Sequence, residues 1–240
     1  MKSQTTGTLH LIPVGMGEAP PSRWLPADVQ ALAGSLTIYI AENAKTARAF
    51  LKLVGTTSPL QEITIHTLGA RTSEGEIREW LAPLAKGIDV GLVSEAGCPA
   101  VADPGARVVM QAHKRNVRVA PWVGPSSILL GLMASGLDGQ RFAFHGYAPV
   151  NPGERAKQLK AWEALSRKHQ QTQILIETPY RNAAMFDTLL SSLAPGTRLC
   201  VARSLTTESE WIRTRTVEEW REGPKPDLAR KPALFLFLAS

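Results

Sequence analysis

The stretch SEAGCPAVADPG, Ser94 to Gly105, places two acids, two prolines, two glycines and a cysteine directly after the apolar run 90–93. Glycine lets a backbone approach a ligand closely, and proline stiffens the chain. Its twelve residues exceed the roughly 2–6 that usually join a strand to a helix, which favours a functional loop. The spacing predicts a ligand loop here, although Asp103 alone is more simply interpreted as the cap of the following helix.

Two further glycine-bearing turns also follow predicted strands. The first, PVGMGEAPPSRWLP, is neither GxGxxG nor GxxxxGKS/T, which excludes the ordinary dinucleotide fingerprint and the P-loop. The second, VGPSS, is shaped by Gly124 and Pro125, and Ser126 or Ser127 can cap the next helix. Ligands collect at the carboxyl ends of parallel strands, so these turns are candidate ligand contacts.

Apolar runs in the first half alternate between strand and helix periodicity. Pro83 should kink or shorten the third helix, and Asp103 with Pro104 should start the fourth. The alternation predicts a largely parallel sheet with helices on both faces. The predicted strands are 9–14, 37–40, 63–66, 90–93 and 117–121, and the helices lie near 26–33, 44–54, 74–84, 104–114 and 126–135.

The break at 136–140 begins a second unit, so we expect domains 1–138 and 139–240. Its late strands follow one another with little helix between, which predicts a mixed sheet. The strands are 141–145, 174–176, 198–203, 211–216 and 234–239, and the helices are 154–169 and one over 186–193. The expected fold class is α/β, with two α/β domains that meet in a ligand cleft.

Composition restricts the class of protein. The chain of 240 residues is 44% hydrophobic, and its net charge is +6. Residues 1–138 hold twelve basic and eleven acidic side chains, against fifteen and ten in 139–240. A basic second half suits RNA, although a solvated basic surface explains it equally well. No apolar run could span a membrane and the N-terminus does not resemble a signal peptide, so we expect a cytoplasmic protein. Two cysteines make neither a disulfide framework nor a metal cluster.

Taken in order, these motifs resemble the tetrapyrrole (corrin/porphyrin) methylase superfamily, and most closely its small-subunit rRNA (cytidine-2′-O)-methyltransferase branch. The family pattern SDAGTPxISDPG corresponds to Ser94–Gly105, and GP…ASGL to Gly124–Leu137. The remaining matches are AEDTR with Ala41–Lys45, FxGF with Phe144–Tyr147, E-S/T-PHR with Glu177–Arg181, and ARELT with Ala202–Thr206.

The resemblance implies an S-adenosylmethionine-dependent methyltransferase of two α/β domains, a homodimer without a metal, whose favoured acceptor is the ribose 2′-O of rRNA. It assigns the donor largely to backbone groups in the three turns, namely Gly15, Gly17, Ser94, Ala96, Gly97, Cys98, Pro99, Asp103, Gly124, Pro125, Ser126 and Ser127.

A ribose hydroxyl is a poor nucleophile until it loses its proton, so a nearby base would help. The candidates are Glu42, Glu95, Glu177 and His145, of which His145 is more simply a hydrogen-bonded structural residue. The candidate substrate contacts are Lys45, Arg181 and Arg203; arginine can bind phosphate bidentately, whereas Glu177 and Arg181 could equally form an ion pair four residues apart.

Several positions depart from the family pattern. The branch's PIGNLxD-like first turn is absent, and Asn43, Lys45, Glu95, Cys98 and His145 replace its usual residues. The sequence also ends at 234–239, without the C-terminal extension associated with the ribosomal enzymes. Two alternatives therefore stay open: methylation of a small tetrapyrrole-like molecule, and a catalytically silent RNA-binding member of the fold.

Overall fold

A computed structural model describes residues 6–239, which form two compact units that divide between Ser126 and Ser127. In the first unit the strands are β1 (Thr8–Leu11), β2 (Ile38–Ala41), β3 (Thr64–Thr67), β4 (Val90–Val93) and β5 (Arg118–Pro121). Its helices are α1 (Ala27–Ser35), α2 (Ala44–Val54), α3 (Glu74–Trp80) and α4 (Ala106–His113), with short 3-10 turns at Pro21–Arg23 and Ala82–Lys86.

The first sheet is fully parallel, in the order β3-β2-β4-β1-β5. One face packs on α1 and α2, where Tyr39 lies in the same apolar cluster as Phe50 and Leu51. The opposite face packs on α3 and α4 through a second cluster that includes Ile77 and Val108. Because the strands are parallel, their carboxyl ends share one edge of the sheet, and that edge carries the loops predicted to hold a ligand.

Local chemistry accounts for the differences from the predicted bounds in this unit. Strand β1 ends at Leu11 rather than at 14, and Val14 forms an isolated bridge with Gly97 instead. Pro83 shortens α3 as predicted, and a 3-10 turn follows. The prediction that Asp103 and Pro104 open α4 directly is wrong: the helix begins at Ala106, because residues 104 and 105 form a turn before it.

The second unit contains β6 (Phe142–Tyr147), β7 (Thr172–Glu177), β8 (Arg198–Arg203), β9 (Trp211–Thr216) and β10 (Ala233–Leu238), with α5 (Ser127–Ser135), α6 (Pro152–His169), α7 (Asn182–Ser192) and α8 (Val217–Glu222). Its sheet has the order β6-β7-β10-β8-β9, in which only β6 and β7 pair in parallel. The predicted α/β class, with one parallel and one mixed sheet, is confirmed.

Helix α5 lies in the second unit, whereas the sequence-based boundary follows residue 138. A Cβ on Gly131 would lie 2.3 Å from Leu234 Cδ2, so α5 packs directly on one face of β10. The Thr214 hydroxyl also donates to the Ser135 carbonyl at 2.6 Å. The other face of β10 buries Phe235 and Phe237 in the cluster beneath α6, α7 and α8. Strand β10 therefore needs apolar cover on both faces, and α5 supplies one of them.

Among residues 6–239, no helix combines the length and the apolar character needed to cross a membrane.

Candidate functional site

Three loops meet at the carboxyl edge of the first sheet, because β4, β1 and β5 are neighbours there. The Val14 amide donates to the Gly97 carbonyl at 3.0 Å, and the Gly97 amide returns a bond to Val14 at 3.1 Å. The Cys98 thiol donates to the Pro125 carbonyl at 3.4 Å. A Cβ on Gly124 would lie only 2.3 Å from Pro13 Cβ. The three predicted turns are therefore in mutual contact and form one continuous floor.

The loop Ser94–Gly105 is folded on its own polar groups. At its start, the Ser94 hydroxyl donates to the carbonyls of Ala96 and Gly97 at 3.2 and 3.1 Å. Gly97 has a φ of +73°, in the left-handed region that glycine adopts without strain. Ser94 thus fixes the turn that carries Gly97 toward the first loop.

Asp103 fixes the second half of the same loop. Its carboxylate accepts hydrogen bonds from the amides of Ala100 at 2.9 Å and Gly105 at 2.6 Å. Ala100 and Ala102 have φ values of 67° and 62°, which cost a residue with a Cβ about 1 kcal/mol or more each. The carboxylate therefore stabilises a backbone that the local sequence does not favour.

A cavity of about 330 Å³ lies beside this floor within the first unit. That volume is at the small end of the range for ligand pockets, roughly 300–1,000 Å³. A Cβ on Gly15 would approach the Trp24 ring to 3.1 Å, so the indole packs against a position where no side chain fits easily. The cavity is lined by Val14, Gly15, Gly17, Trp24, Thr46, Ala49, Phe50, Leu53, Ser94 and Glu95.

The structure places the predicted donor residues at different distances from this cavity. Gly15, Gly17 and Ser94 line it, whereas Gly97, Cys98, Gly124 and Pro125 build the floor beside it. Asp103 holds the loop Ser94–Gly105 together, and Ser127 begins α5 in the second unit. Sequence reasoning missed Thr46, Ala49 and Leu53, which α2 presents to the cavity. Their spacing of three to four residues indicates one helix face, but only tertiary packing shows that this face borders a cavity.

Two carboxylates stand at the same edge. Glu42 follows β2, and its Oε1 accepts a long hydrogen bond of 3.4 Å from the amide of Glu95. Burial raises the pKa of Glu42, and the nearby charge of Asp103 raises it further. The Glu95 side chain itself is exposed. Glu42 is therefore the predicted base whose surroundings favour holding a proton.

Lys45 lies in the first turn of α2. Its amide donates to the Asn43 side chain at 2.9 Å, so Asn43 caps the helix as its position predicts. The Lys45 side chain is exposed, next to the cavity-lining Thr46.

The second unit holds Glu177 and Arg181 as an ion pair. Glu177 ends β7 with a fully buried side chain, and its Oε1 accepts from Arg181 Nε at 3.0 Å and Nη2 at 2.6 Å. The amide of Thr178 donates to the same oxygen at 2.6 Å. Within residues 6–239, Glu177 Oε2 has no hydrogen-bond partner. Of the two interpretations that the sequence left open, the ion pair is the one observed.

Arg203 ends β8 at the edge of the second sheet where Glu177 ends β7, since Ala233 of β10 pairs with both residues. The Arg203 guanidinium lies 5.5 Å from the centre of the Trp211 ring, and its Nη1 donates to the Ser209 carbonyl at 3.2 Å. Its buried Nε has no partner in the described part of the chain. Arg203 is therefore only partly engaged.

His145 has structural partners. Its Nε2 lies 2.6 Å from Gln173 Oε1, and its ring stacks on Trp162 with the centroids 4.1 Å apart. These contacts agree with the structural interpretation of this histidine. In the part of the chain that the structure describes, no group of three His, Cys, Asp or Glu side chains is placed to hold a metal ion.

Comparison with known proteins identifies a matching family and several similar proteins. The family model of Tetrapyrrole (Corrin/Porphyrin) Methylases matches residues 8–220. Proteins named ribosomal RNA small subunit methyltransferase I are similar: the one from Xylella fastidiosa is 31% identical, over 84% of this chain and 70% of its own length. The one from Neisseria meningitidis serogroup B is 28% identical, over 89% and 69%. The one from Mesorhizobium japonicum is 38% identical over 57% of this chain, a match that spans under half (45%) of that relative.

Solved structures show the same fold at lower identity. The methyltransferase CobJ is 18% identical with a TM-score of 0.63, over 98% of this chain and 95% of its own. Uroporphyrin-III C-methyltransferase from Thermus thermophilus, complexed with S-adenosyl homocysteine, is 18% identical with a TM-score of 0.57, over 97% of each chain. The motifs agree with the family match over residues 8–220, with the rRNA methyltransferase relatives and with the two-sheet fold. The prediction of a methyltransferase is therefore confirmed, and the chain belongs to the tetrapyrrole methylase family.

Proposed function

We propose that this protein transfers a methyl group from S-adenosylmethionine to RNA, with the ribose 2′-O of small-subunit rRNA as the acceptor. The observation that carries the proposal is the convergence of the three glycine-bearing turns beside a cavity of about 330 Å³ in the first unit. The names of the relatives support rRNA as the acceptor.

The cavity suits the donor's mixed chemistry. Trp24 and Phe50 supply an aromatic wall, and the Trp24 indole donates to the Ala19 carbonyl at 3.2 Å, which fixes its orientation. Gly15 and Gly17 carry no side chain, so a ligand in the cavity can approach their backbone closely. When bound, S-adenosylmethionine supplies a methyl group already activated by its sulfonium, so the protein's tasks are to align the acceptor and to exclude water.

We assign the role of general base to Glu42. A carboxylate whose pKa is raised by burial accepts a hydroxyl proton more readily than an ordinary surface carboxylate. Glu95 is the second candidate, because it lines the cavity. Glu177 is assigned a positioning role instead: its Oε1 accepts three hydrogen bonds, from the Thr178 amide and from Arg181, and so holds these two residues in place.

Two of the three candidate cations are assigned to the RNA. Lys45 is exposed beside the cavity-lining Thr46 and can contact a phosphate. In the second unit, the Arg203 guanidinium lies over the Trp211 ring, and an arginine beside an aromatic ring suits stacking on an unpaired base. Arg181 is already paired, so its role is to hold Glu177 in place.

The proposal is tested by calorimetric titration with S-adenosylmethionine and by transfer of a labelled methyl group to deproteinised small-subunit rRNA, followed by mapping of ribose methylation. Glu42→Gln should lower kcat about 10²-fold or more without loss of donor binding, as removal of a general base does. Glu62→Gln, an exposed carboxylate outside the site, is the matched control. An active wild type whose Glu42→Gln variant keeps full kcat would overturn the assignment of the base.

A small tetrapyrrole-like acceptor is the second candidate, favoured by the fold shared with CobJ and the uroporphyrin-III C-methyltransferase. It predicts transfer to the small molecule at a rate that salt barely changes, whereas RNA binding weakens steeply with salt. RNA binding without any donor binding would instead indicate the catalytically silent member of the fold.

We also propose a homodimer. Helix α5 exposes Leu129 and Met133, which lie four residues apart and are 53% and 78% exposed. Such neighbouring apolar side chains favour a protein partner, and a second copy is the partner that the family suggests. Light scattering should give twice the 26.0 kDa chain mass, and Met133→Glu should shift it to the monomer. An rRNA acceptor would place the protein in the cytoplasm.

A further inference from the structure

An open groove of about 770 Å³ runs between α3 and α4 in the first unit, apart from the cavity beside Trp24. Four cations line it: Arg78 from α3, Arg107 and Lys114 from α4 and its end, and Arg115 just beyond. Glu74 is the one carboxylate among the lining residues. The groove is therefore strongly basic, although the first half of the chain as a whole is nearly neutral.

Two of the cations are fixed by backbone contacts. Arg107 Nη2 donates to the Thr72 carbonyl at 2.5 Å, and Arg115 Nη1 donates to the Arg78 carbonyl at 2.8 Å. Both bonds tie one wall of the groove to the other, so the basic surface is built before any partner arrives. Glu74 is also occupied, since it accepts from Gln111 and lies 3.8 Å from Arg107.

The other two cations face solvent. Arg78 and Lys114 are exposed, and among residues 6–239 neither forms an ion pair. Met110, 56% exposed, lies between the charged positions of α4. Seven residues separate Arg107 from Lys114, which is roughly 10 Å along the helix. Fixed and free cations along that length can contact several phosphates of one nucleic-acid strand, and Met110 can pack against the apolar face of a base or a ribose.

We propose that this groove, which we call the α3/α4 groove, binds the phosphate backbone of RNA outside the catalytic cavity. Arg107 is the second residue of α4, which follows the loop Ser94–Gly105, so the groove starts at the edge that carries the cavity and extends away from it. An RNA strand held there would contribute affinity and orientation without base specificity. The proposal rests on the proposed function only in taking RNA as the polyanion.

The test is fluorescence anisotropy with a labelled single-stranded RNA of about 20 nucleotides, measured across a salt series. The double variant Arg78→Glu/Lys114→Glu should bind at least tenfold more weakly. The slope of log affinity against log salt should fall by about 1.4, because each single-strand phosphate contact contributes about 0.7. The control Arg48→Glu/Lys52→Glu makes the same charge change on the exposed side of α2 and should lose less than threefold.

Calorimetric titration with S-adenosylmethionine checks that the variants are folded. No residue of the groove lines the donor cavity, so folded variants should keep the donor affinity of the wild type. Equal weakening in the groove variant and the control would overturn the proposal, since binding would then follow net charge alone. Groove-dependent binding to anionic lipid vesicles but not to RNA would also overturn it. Failure of the proposed function is distinguishable: the wild type would then methylate no RNA, whatever the groove variant does.

Discussion

The contact between Gly124 and Pro13 provides a sharp test of the loop floor. A Cβ on Gly124 would lie 2.3 Å from Pro13 Cβ and 2.6 Å from its Cγ. Carbon atoms pack at about 3.5–4.0 Å, so Gly124→Ala must separate the two loops by roughly 1 Å. The proline ring cannot rotate away, and the next residue, Val14, is hydrogen-bonded to Gly97. Overpacking of this kind costs about 1–3 kcal/mol of unfolding free energy.

The same displacement should reach the donor. A misplacement of 1 Å in a site can cost about 10²-fold, so we expect at least tenfold weaker binding of S-adenosyl homocysteine. Urea unfolding measures the stability, and calorimetric titration measures the affinity. The control is Gly139→Ala, where a Cβ meets nothing within 4 Å and both quantities should stay near the wild type. Wild-type affinity in a destabilised Gly124→Ala variant would refute the reasoning that these loops form the floor of the donor site.

Three further predictions concern charged groups and thiols that are partly or fully buried. Arg181→Gln should cost about 3 kcal/mol in urea unfolding, because the fully buried Glu177 loses its partner, and the added change Glu177→Gln should recover part of that loss; an additive second loss would contradict the ion-pair account. Burial raises the pKa of Glu42, so the folded state binds more protons than the unfolded state and its stability falls as pH rises through the titration of that carboxyl. Glu42→Gln should therefore raise Tm at pH 7 but not below about pH 4, and a higher Tm of the variant at acid pH alone would contradict this account. Burial raises the pKa of Cys98, and that of Cys200 to about 11, so mass spectrometry should find both thiols alkylated slowly by iodoacetamide at pH 7, unlike a free cysteine.

The local sequence was sufficient to predict the alternating strands and helices of the fold. Alternating apolar periods predicted both sheets, because a strand and a helix bury different spacings of the chain. Pro83 stopped α3 and Asn43 capped α2, since both effects act within a few residues. The motifs around Gly97 and Gly124 were likewise sufficient for the family, because the left-handed φ of Gly97 and the close contact of Gly124 with Pro13 both demand glycine.

Tertiary structure decided what local patterns could not. Helix α5 joins the second unit because β10 needs cover on a second face, a demand set by a strand about 100 residues away. The α2 residues of the cavity look like any other helix face until the sheet order places them beside Gly15 and Trp24. The basic groove is also invisible in charge counts, since its cations come from two helices separated by strand β4 and the loop Ser94–Gly105. Sequence alone thus determined the family, the sheets and the glycine-bearing turns, whereas side-chain partners, the wall of the cavity and the groove depend on contacts between distant segments.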